Sequence, residues 1–405
     1  MISDLIGQQA LKVFPEMVAF RRDLHRNPEI SYKEFRTTER IIAELAALGY
    51  EIHRPLQTGC VAVLRGDAGG KGVLALRADI DALPMDEEGE HKQEFISQVP
   101  GAAHCCGHDL HTANLLGTAH ILASLKAYVA GTVVLVFQPG EEKPPGGARL
   151  LMETGLLQKL GVQAIYGLHA YPYAGVGEIA LIKGPMMARP DEFELTVHGK
   201  GGHAAIPQKT VDPVVIAAQI VTVLQSIVSR NVNPLDAAVV TVGKIAGGSV
   251  CNVIPDEVAM LGTIRSFSQA LSTQISARIE GMARGIAEAA GATISYRYIS
   301  GYPAVVNTDW AVDALKQTAD GIPGVSVVTL PEPLMAGEDF SFYLQEFPGA
   351  YFYLGTGSNE AESNSWNWHH PRFNVDEKAM LTGMSVLAEL VLKTKATPHP
   401  PIDDV

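Results

Sequence analysis

Short apolar runs at 61–64, 73–76, 132–137 and 162–168 alternate with helix-length segments across the first half of the chain. A strand that is apolar on both faces must be covered on both. Strands separated by helices are joined by crossovers, so the pattern predicts an α/β domain: a mostly parallel sheet with helices on both faces. Helices are expected at 4–25 and 36–48, the second ended by Gly49, and at 111–127 and about 147–158.

From about residue 190 the order changes. A strand at 193–197 is followed by a helix to Arg230 that Asp212 caps and Pro213 opens, with Val214, Ala217, Ala218, Val221, Leu224 and Val228 on one side. Strands at 238–245 and 258–264, a helix at 269–290 and a strand at 293–299 complete β-α-β-β-α-β, a ferredoxin-like α+β unit. The α/β pattern resumes with a helix at 309–319, strands at 325–330 and 350–354, and a helix near 376–394. The expected organisation is a catalytic domain in two parts, 1–187 and 301–405, interrupted by an insertion at 188–300.

The 405 residues are 47% hydrophobic, with 31 Lys and Arg against 44 Asp and Glu. A chain with formal charge -13 repels phosphate, so no nucleic-acid or anionic membrane partner is expected. No window approaches about 18 consecutive apolar residues. The first 22 residues carry Asp4, Lys12, Pro15 and Glu16, unlike a signal peptide. Cys60, Cys105, Cys106 and Cys251 do not make a disulfide framework, and a cytoplasmic location is expected.

Polar clusters fall just past the expected strands: Asp79 and Asp81, Glu141 and Glu142, and His169. Ligand sites of open α/β sheets form at that carboxyl edge. Cys106-Gly107-His108 sets a thiol and an imidazole on either side of a glycine, a spacing that suits two metal ligands but that, taken alone, more often marks a buried cysteine beside a capping histidine. The adjacent side chains of Glu141 and Glu142 diverge, so one can bind metal while the other faces a water. Together Cys106, His108, Glu142, His169 and His369 offer five donors, too many for one tetrahedral zinc and about right for two metals. The mixture points to two divalent transition-metal ions, Mn, Zn, Co or Ni. Asp79 and Asp81 could ligate or orient a histidine. Gly199 to Gly202 lack phosphate-loop spacing and lead into His203, while His104 and His120 read as structural. No Gly-x-Ser-x-Gly elbow of a serine hydrolase appears.

The strings RRDLHRNPE (21–29), LRADIDALP (76–84), HCCGHDLHTA (104–113), FQPGEE (137–142), GLHAYP (167–172), GKGGHAAIP (199–207), NVIPDE (252–257), GTIRSF (262–267), AGEDFSFY (336–343) and HHPRFNVDE (369–377) run in one order. They resemble the hippurate hydrolase and auxin-conjugate hydrolase branch of the aminoacylase/carboxypeptidase-like dinuclear metallopeptidases. The resemblance implies hydrolysis of small N-acyl-amino acids. It implies Cys106, His108, Glu142, His169 and His369 as ligands, Glu141 as general base and acid, His203 as oxyanion donor, and Asn252 and Arg265 as substrate contacts. It also implies that the insertion is a lid and dimerisation domain, so a homodimer or higher homo-oligomer is expected. Cys105, in place of the usual small residue, and His370, beside His369, depart from the pattern. A dipeptidase or carboxypeptidase with the same metals is the competing reading. A non-catalytic metal-binding scaffold would predict loss of the base, yet Glu141 is present.

Overall fold

The four short apolar runs become neighbours in one eight-stranded sheet. In spatial order its strands are Glu51–His53, Cys60–Arg65, Thr132–Gln138, Val73–Asp79, Ala164–Gly175, Gly349–Gly357, Glu178–Leu181 and Ser326–Thr329. The computed structural model describes residues 2–357 and 366–393. Three consecutive parallel pairings, from Thr132–Gln138 across to Gly349–Gly357, form the centre. Antiparallel pairings attach Cys60–Arg65, Glu51–His53 and Glu178–Leu181 on either side of it, and Ser326–Thr329 is parallel to its neighbour. The central strands are buried along nearly their whole length, as strands covered on both faces must be.

Three helices, Ile2–Arg26, His108–Ser124 and Ala379–Lys393, pack together against this sheet through Met17, Leu24, Leu116, Met380 and Met384, all fully buried. Removing each such side chain from water contributes roughly 1.5–3 kcal/mol. The expected helix at 111 starts three residues earlier. Gly107, at φ 99°, adopts the left-handed conformation that lets the chain turn straight into His108, so His108 and Asp109 lie in the first turn. The segment expected as one helix at about 147–158 is two, Gly147–Glu153 and Leu156–Leu160, separated by left-handed Gly155. The last helix ends at Lys393, and the expected residue 394 lies outside the described residues.

Chain contacts divide the molecule into two units: Met1–Met186 with Val306–Glu332 and Asp339–Val405, and Met187–Val305 with Pro333–Glu338. In the smaller unit the antiparallel strands run Ala238–Ala246, Glu257–Ser266, Arg189–His198, Thr293–Ile299 in space. The helices Pro213–Asn231 and Gln269–Ala289 complete the β-α-β-β-α-β order. Phe193, Leu195, Ile216, Ile220, Leu224, Met260, Ile264, Ile275 and Ile279 form its own core.

Pro213–Asn231 is long and apolar enough to cross a membrane by length and mean hydropathy alone, despite its interruption by Gln219, Thr222 and Gln225. Here one face of it is buried with the sheet residues, while Val214, Val215 and Val223 are exposed.

Candidate metal centre

The carboxyl edge of the parallel strands gathers the polar residues. Asp79 ends one strand, Gln138 ends its neighbour just before Glu141 and Glu142, and His169 lies in the next. Donor atoms of Cys106, His108 and His169 lie within 4.8 Å of one another, as do those of Cys106, Glu142 and His369, and those of His108, Glu141 and Glu142. The structure therefore brings all five sequence-nominated ligands and the nominated base into one cluster.

Hydrogen bonds fix which atom each imidazole offers. The Asp81 carbonyl can only accept, so His108 donates to it from Nδ1 at 2.9 Å and keeps the Nε2 lone pair. Likewise His169 donates from Nδ1 to the Ala170 carbonyl at 2.8 Å, and its Nε2 faces Cys106 Sγ at 3.5 Å. Among the described residues, nothing hydrogen-bonds His108 Nε2 or Glu142 Oε1, both shut from solvent, an arrangement that costs free energy unless a cation fills it. His369 Nε2 stands 3.2 Å from the same Glu142 Oε1. Its backbone takes a φ of 63°, and its N–H donates to the Cys105 carbonyl at 2.8 Å. His370 points elsewhere: its ring stacks on Trp366 at 4.1 Å, and its Nδ1 accepts from the Arg372 N–H.

His111, which spacing left unassigned, is fully committed. Nδ1 donates to Asp79 Oδ1 at 2.6 Å, and Nε2 accepts from the Ala170 N–H at 2.8 Å. No lone pair remains for a metal. Asp79 is itself gripped by buried Arg77 at 2.6 Å, which reaches Gln138 and Asp339 with its other nitrogens.

Asp81 is buried, and its two oxygens accept from the Glu141 N–H at 3.0 Å and the Glu142 N–H at 3.1 Å. Ser31 donates to it as well, at 2.7 Å.

The field inside the cluster is strongly negative. Burial, then Glu142, Glu141 and Asp79, push the Cys106 thiol well above its ordinary value. Burial lowers the His108 imidazole, yet Asp79, Asp81 and Glu142 outweigh it and bring the group to about 10. Both shifts have one cause, the buried carboxylates gathered around these two donors. The donors, one thiol, three imidazoles and one carboxylate, fit transition-metal ions.

The remaining nominated residues belong to the smaller unit. His203 is exposed on a two-residue ladder, Gly202–His203 with Val253–Ile254, and its Nδ1 accepts from the Ala205 N–H at 3.0 Å. Asn252 is exposed at the start of that ladder. Arg265 donates from Nε to the Met335 carbonyl at 3.2 Å and from Nη1 to Thr263 and the Ile264 carbonyl.

Residues 75–393 match the sequence profile of Peptidase family M20/M25/M40. An N-acetylcysteine deacetylase of Bacillus subtilis is 39% identical over 378 residues, 93% of this chain and 96% of its own. An IAA-amino acid hydrolase of Arabidopsis thaliana is 40% identical over 94% of this chain and 86% of its own. A solved Bacillus subtilis structure, described as a dinuclear metal binding peptidase from the M20 family, superposes with a TM-score of 0.81 at 36% identity, covering 94% of this chain and 98% of that one. The chain belongs to this family. It is a hydrolase of the metal-binding amidohydrolase and peptidase type.

Beneath the cluster lies a buried charged network. Asp109 forms an ion pair with Arg21 Nε at 2.6 Å and accepts from His25 Nδ1 at 2.7 Å; the other His25 nitrogen meets Glu87 at 2.7 Å, and Lys92 lies 2.5 Å from Glu87. Burial raises the Asp109 carboxyl, but Arg21 and His25 hold it far below the usual range, and His25 and Lys92 in the same way hold Glu87 at about 2. A depressed carboxyl stabilises the fold above its unfolded pKa of about 4 and loses that contribution as pH falls toward its folded value. Asp109→Ala should therefore destabilise the protein at pH 7 by about 3–5 kcal/mol, because it removes the buried anion that faces Arg21 Nε. In urea unfolding, the difference between wild type and variant should shrink between about pH 4 and pH 2. A difference that stays constant over that range would contradict the assignment.

Proposed function

We propose that the protein hydrolyses the amide bond of small N-acyl-amino acids. The observation that carries this reading is Glu141 beside Glu142: one carboxylate in a donor cluster with Cys106 and His369, its buried neighbour beside the same cluster. The printed names of the deacetylase and the conjugate hydrolase support the substrate class.

In this reading Cys106, His108, Glu142, His169 and His369 hold two divalent ions, Mn, Zn, Co or Ni. When bound, such ions polarise an amide carbonyl and lower the pKa of a water toward neutrality. Glu141 takes the proton of the attacking water and passes it to the leaving amine nitrogen. His203 donates to the carbonyl oxygen as its charge develops. Asn252 and Arg265 hold the substrate, the guanidinium pairing with its free carboxylate. Asp79 and Asp81 act through other residues, Asp79 by orienting His111 and Asp81 by orienting His108 and the Glu141–Glu142 backbone.

The smaller unit serves as lid and dimerisation domain. Its edge strand Ala238–Ala246 pairs on one side only and exposes Val239 and Ile245, which suits pairing with a second copy about a two-fold axis. The location is cytoplasmic, consistent with four free cysteines.

Glu141→Gln should lower kcat roughly 10²–10⁴-fold on an N-acyl-amino acid at unchanged metal content. Glu142→Gln should lose metal as well, read by elemental analysis. Reversed metal contents would contradict the two roles. His203 is further proposed to serve the site of the other subunit in the dimer; His203→Ala and Glu141→Ala subunits, each inactive alone, should then regain activity on subunit exchange, since each mixed dimer contains one intact site. Continued inactivity after verified exchange would show that His203 does not act on the partner's site.

A further inference from the structure

The loop that carries Glu141 and Glu142 is clasped by a segment outside the metal cluster. Glu34, fully buried before the helix Phe35–Ala47, accepts the Gly140 N–H on Oε1 at 2.9 Å. The same oxygen accepts the Tyr32 N–H at 2.9 Å, and Oε2 accepts the Thr58 hydroxyl at 2.7 Å. Tyr32 sits at φ 66°, a left-handed conformation that is costly for a residue with a side chain. That conformation lays its ring over Gly140, where a Cβ would stand 2.2 Å from the ring. Its hydroxyl donates to the Lys143 carbonyl at 2.7 Å and accepts from the Gly146 N–H at 3.1 Å. Tyr32 and Glu34 thus hold both ends of the 140–146 loop, while Asp81 holds its middle.

We propose that Glu34 is a positioning residue: its carboxylate, through the Gly140 N–H, sets the backbone from which Glu141 and Glu142 project, and this control requires the carboxylate to be ionised. The proposal rests on the roles given above to Glu141 and Glu142.

The ionisable groups facing Glu34 are Asp81, just past the strand Val73–Asp79, and the Tyr32 phenol; no cation pairs with it among the described residues. Burial, then Asp81, raises its carboxyl to about 7 against the pull of Thr58 and the backbone donors. The group therefore exchanges its proton in the neutral range. Below that range it is neutral, and its hydrogen bond to Gly140 loses the strength that charge gives it.

Glu34→Gln keeps the shape and removes the charge at every pH. At pH 8 it should lower kcat about tenfold with KM changed less than about twofold, because a loop displaced by a fraction of an ångström misplaces the base more than the substrate. As pH falls through about 7, the ratio of wild-type to variant kcat should shrink toward one, since protonated Glu34 and Gln are both neutral. In metal-free protein, hydrogen exchange of a peptide covering 138–146 should be faster in the variant, on the order of tenfold. This last reading needs neither metal nor substrate, so it stands or falls separately from the role of Glu141.

A kcat ratio constant from pH 5.5 to 8.5, or unchanged exchange of the loop, would overturn the proposal. If Glu34→Gln does not fold, Thr58→Val tests the same claim. Losing the donor to Oε2 should move the midpoint of the acid limb upward, and an unmoved midpoint would overturn it.

Discussion

One buried carboxylate, Asp81, ties the parallel sheet to everything the site holds. It follows the strand Val73–Asp79, and its acceptors are shared among three elements: the carbonyl takes His108, one side-chain oxygen the Glu141 N–H, the other the Glu142 N–H and Ser31. A neutral amide at this position would turn donors toward donors. Burial raises its carboxyl, but His108, Ser31 and the Glu142 N–H bring it below the ordinary carboxylate range, so the anion persists and holds three elements in register.

Around this anchor the polar residues divide into those satisfied by protein and those that are not. His111, Asp79, Arg77, Gln138 and Asp339 close a hydrogen-bonded network among themselves. His108 Nε2 and Glu142 Oε1 stay unsatisfied in a field that suppresses ionisation of Cys106 and promotes protonation of His108. A protein tolerates such a cluster where an ion belongs, because the desolvation penalty of each donor is then offset by coordination. The remaining nominated residues, His203, Asn252 and Arg265, reside on a unit with its own core.

The parallel centre was readable because strands buried on both faces announce themselves as unbroken apolar runs, as in 132–137. Glu51–His53 and Glu178–Leu181 were not, since three or four residues of ordinary composition carry no periodicity. The single helix expected at 147–158 hid its break because a glycine in a helical pattern does not state its φ. Within the site, convergence was legible from residues that each follow a strand end. Commitment was not: His108 and His111 occupy the same turn three residues apart, and only their hydrogen-bond partners leave one open and close the other. The pairing of Glu34 with Gly140 spans 106 residues and involves a backbone donor, which leaves no trace in side-chain pattern.

In the proposed metal centre Cys106, His108, Glu142, His169 and His369 hold two cations while His111 holds none. Anomalous diffraction from crystals grown with cobalt, collected across the cobalt absorption edge, tests it directly. Two strong peaks enclosed by those five side chains are expected, with His111 still bonded to Asp79. A single peak, a cation bound by His111, or cobalt confined to the surface group Glu16, Glu44 and His120 would contradict it.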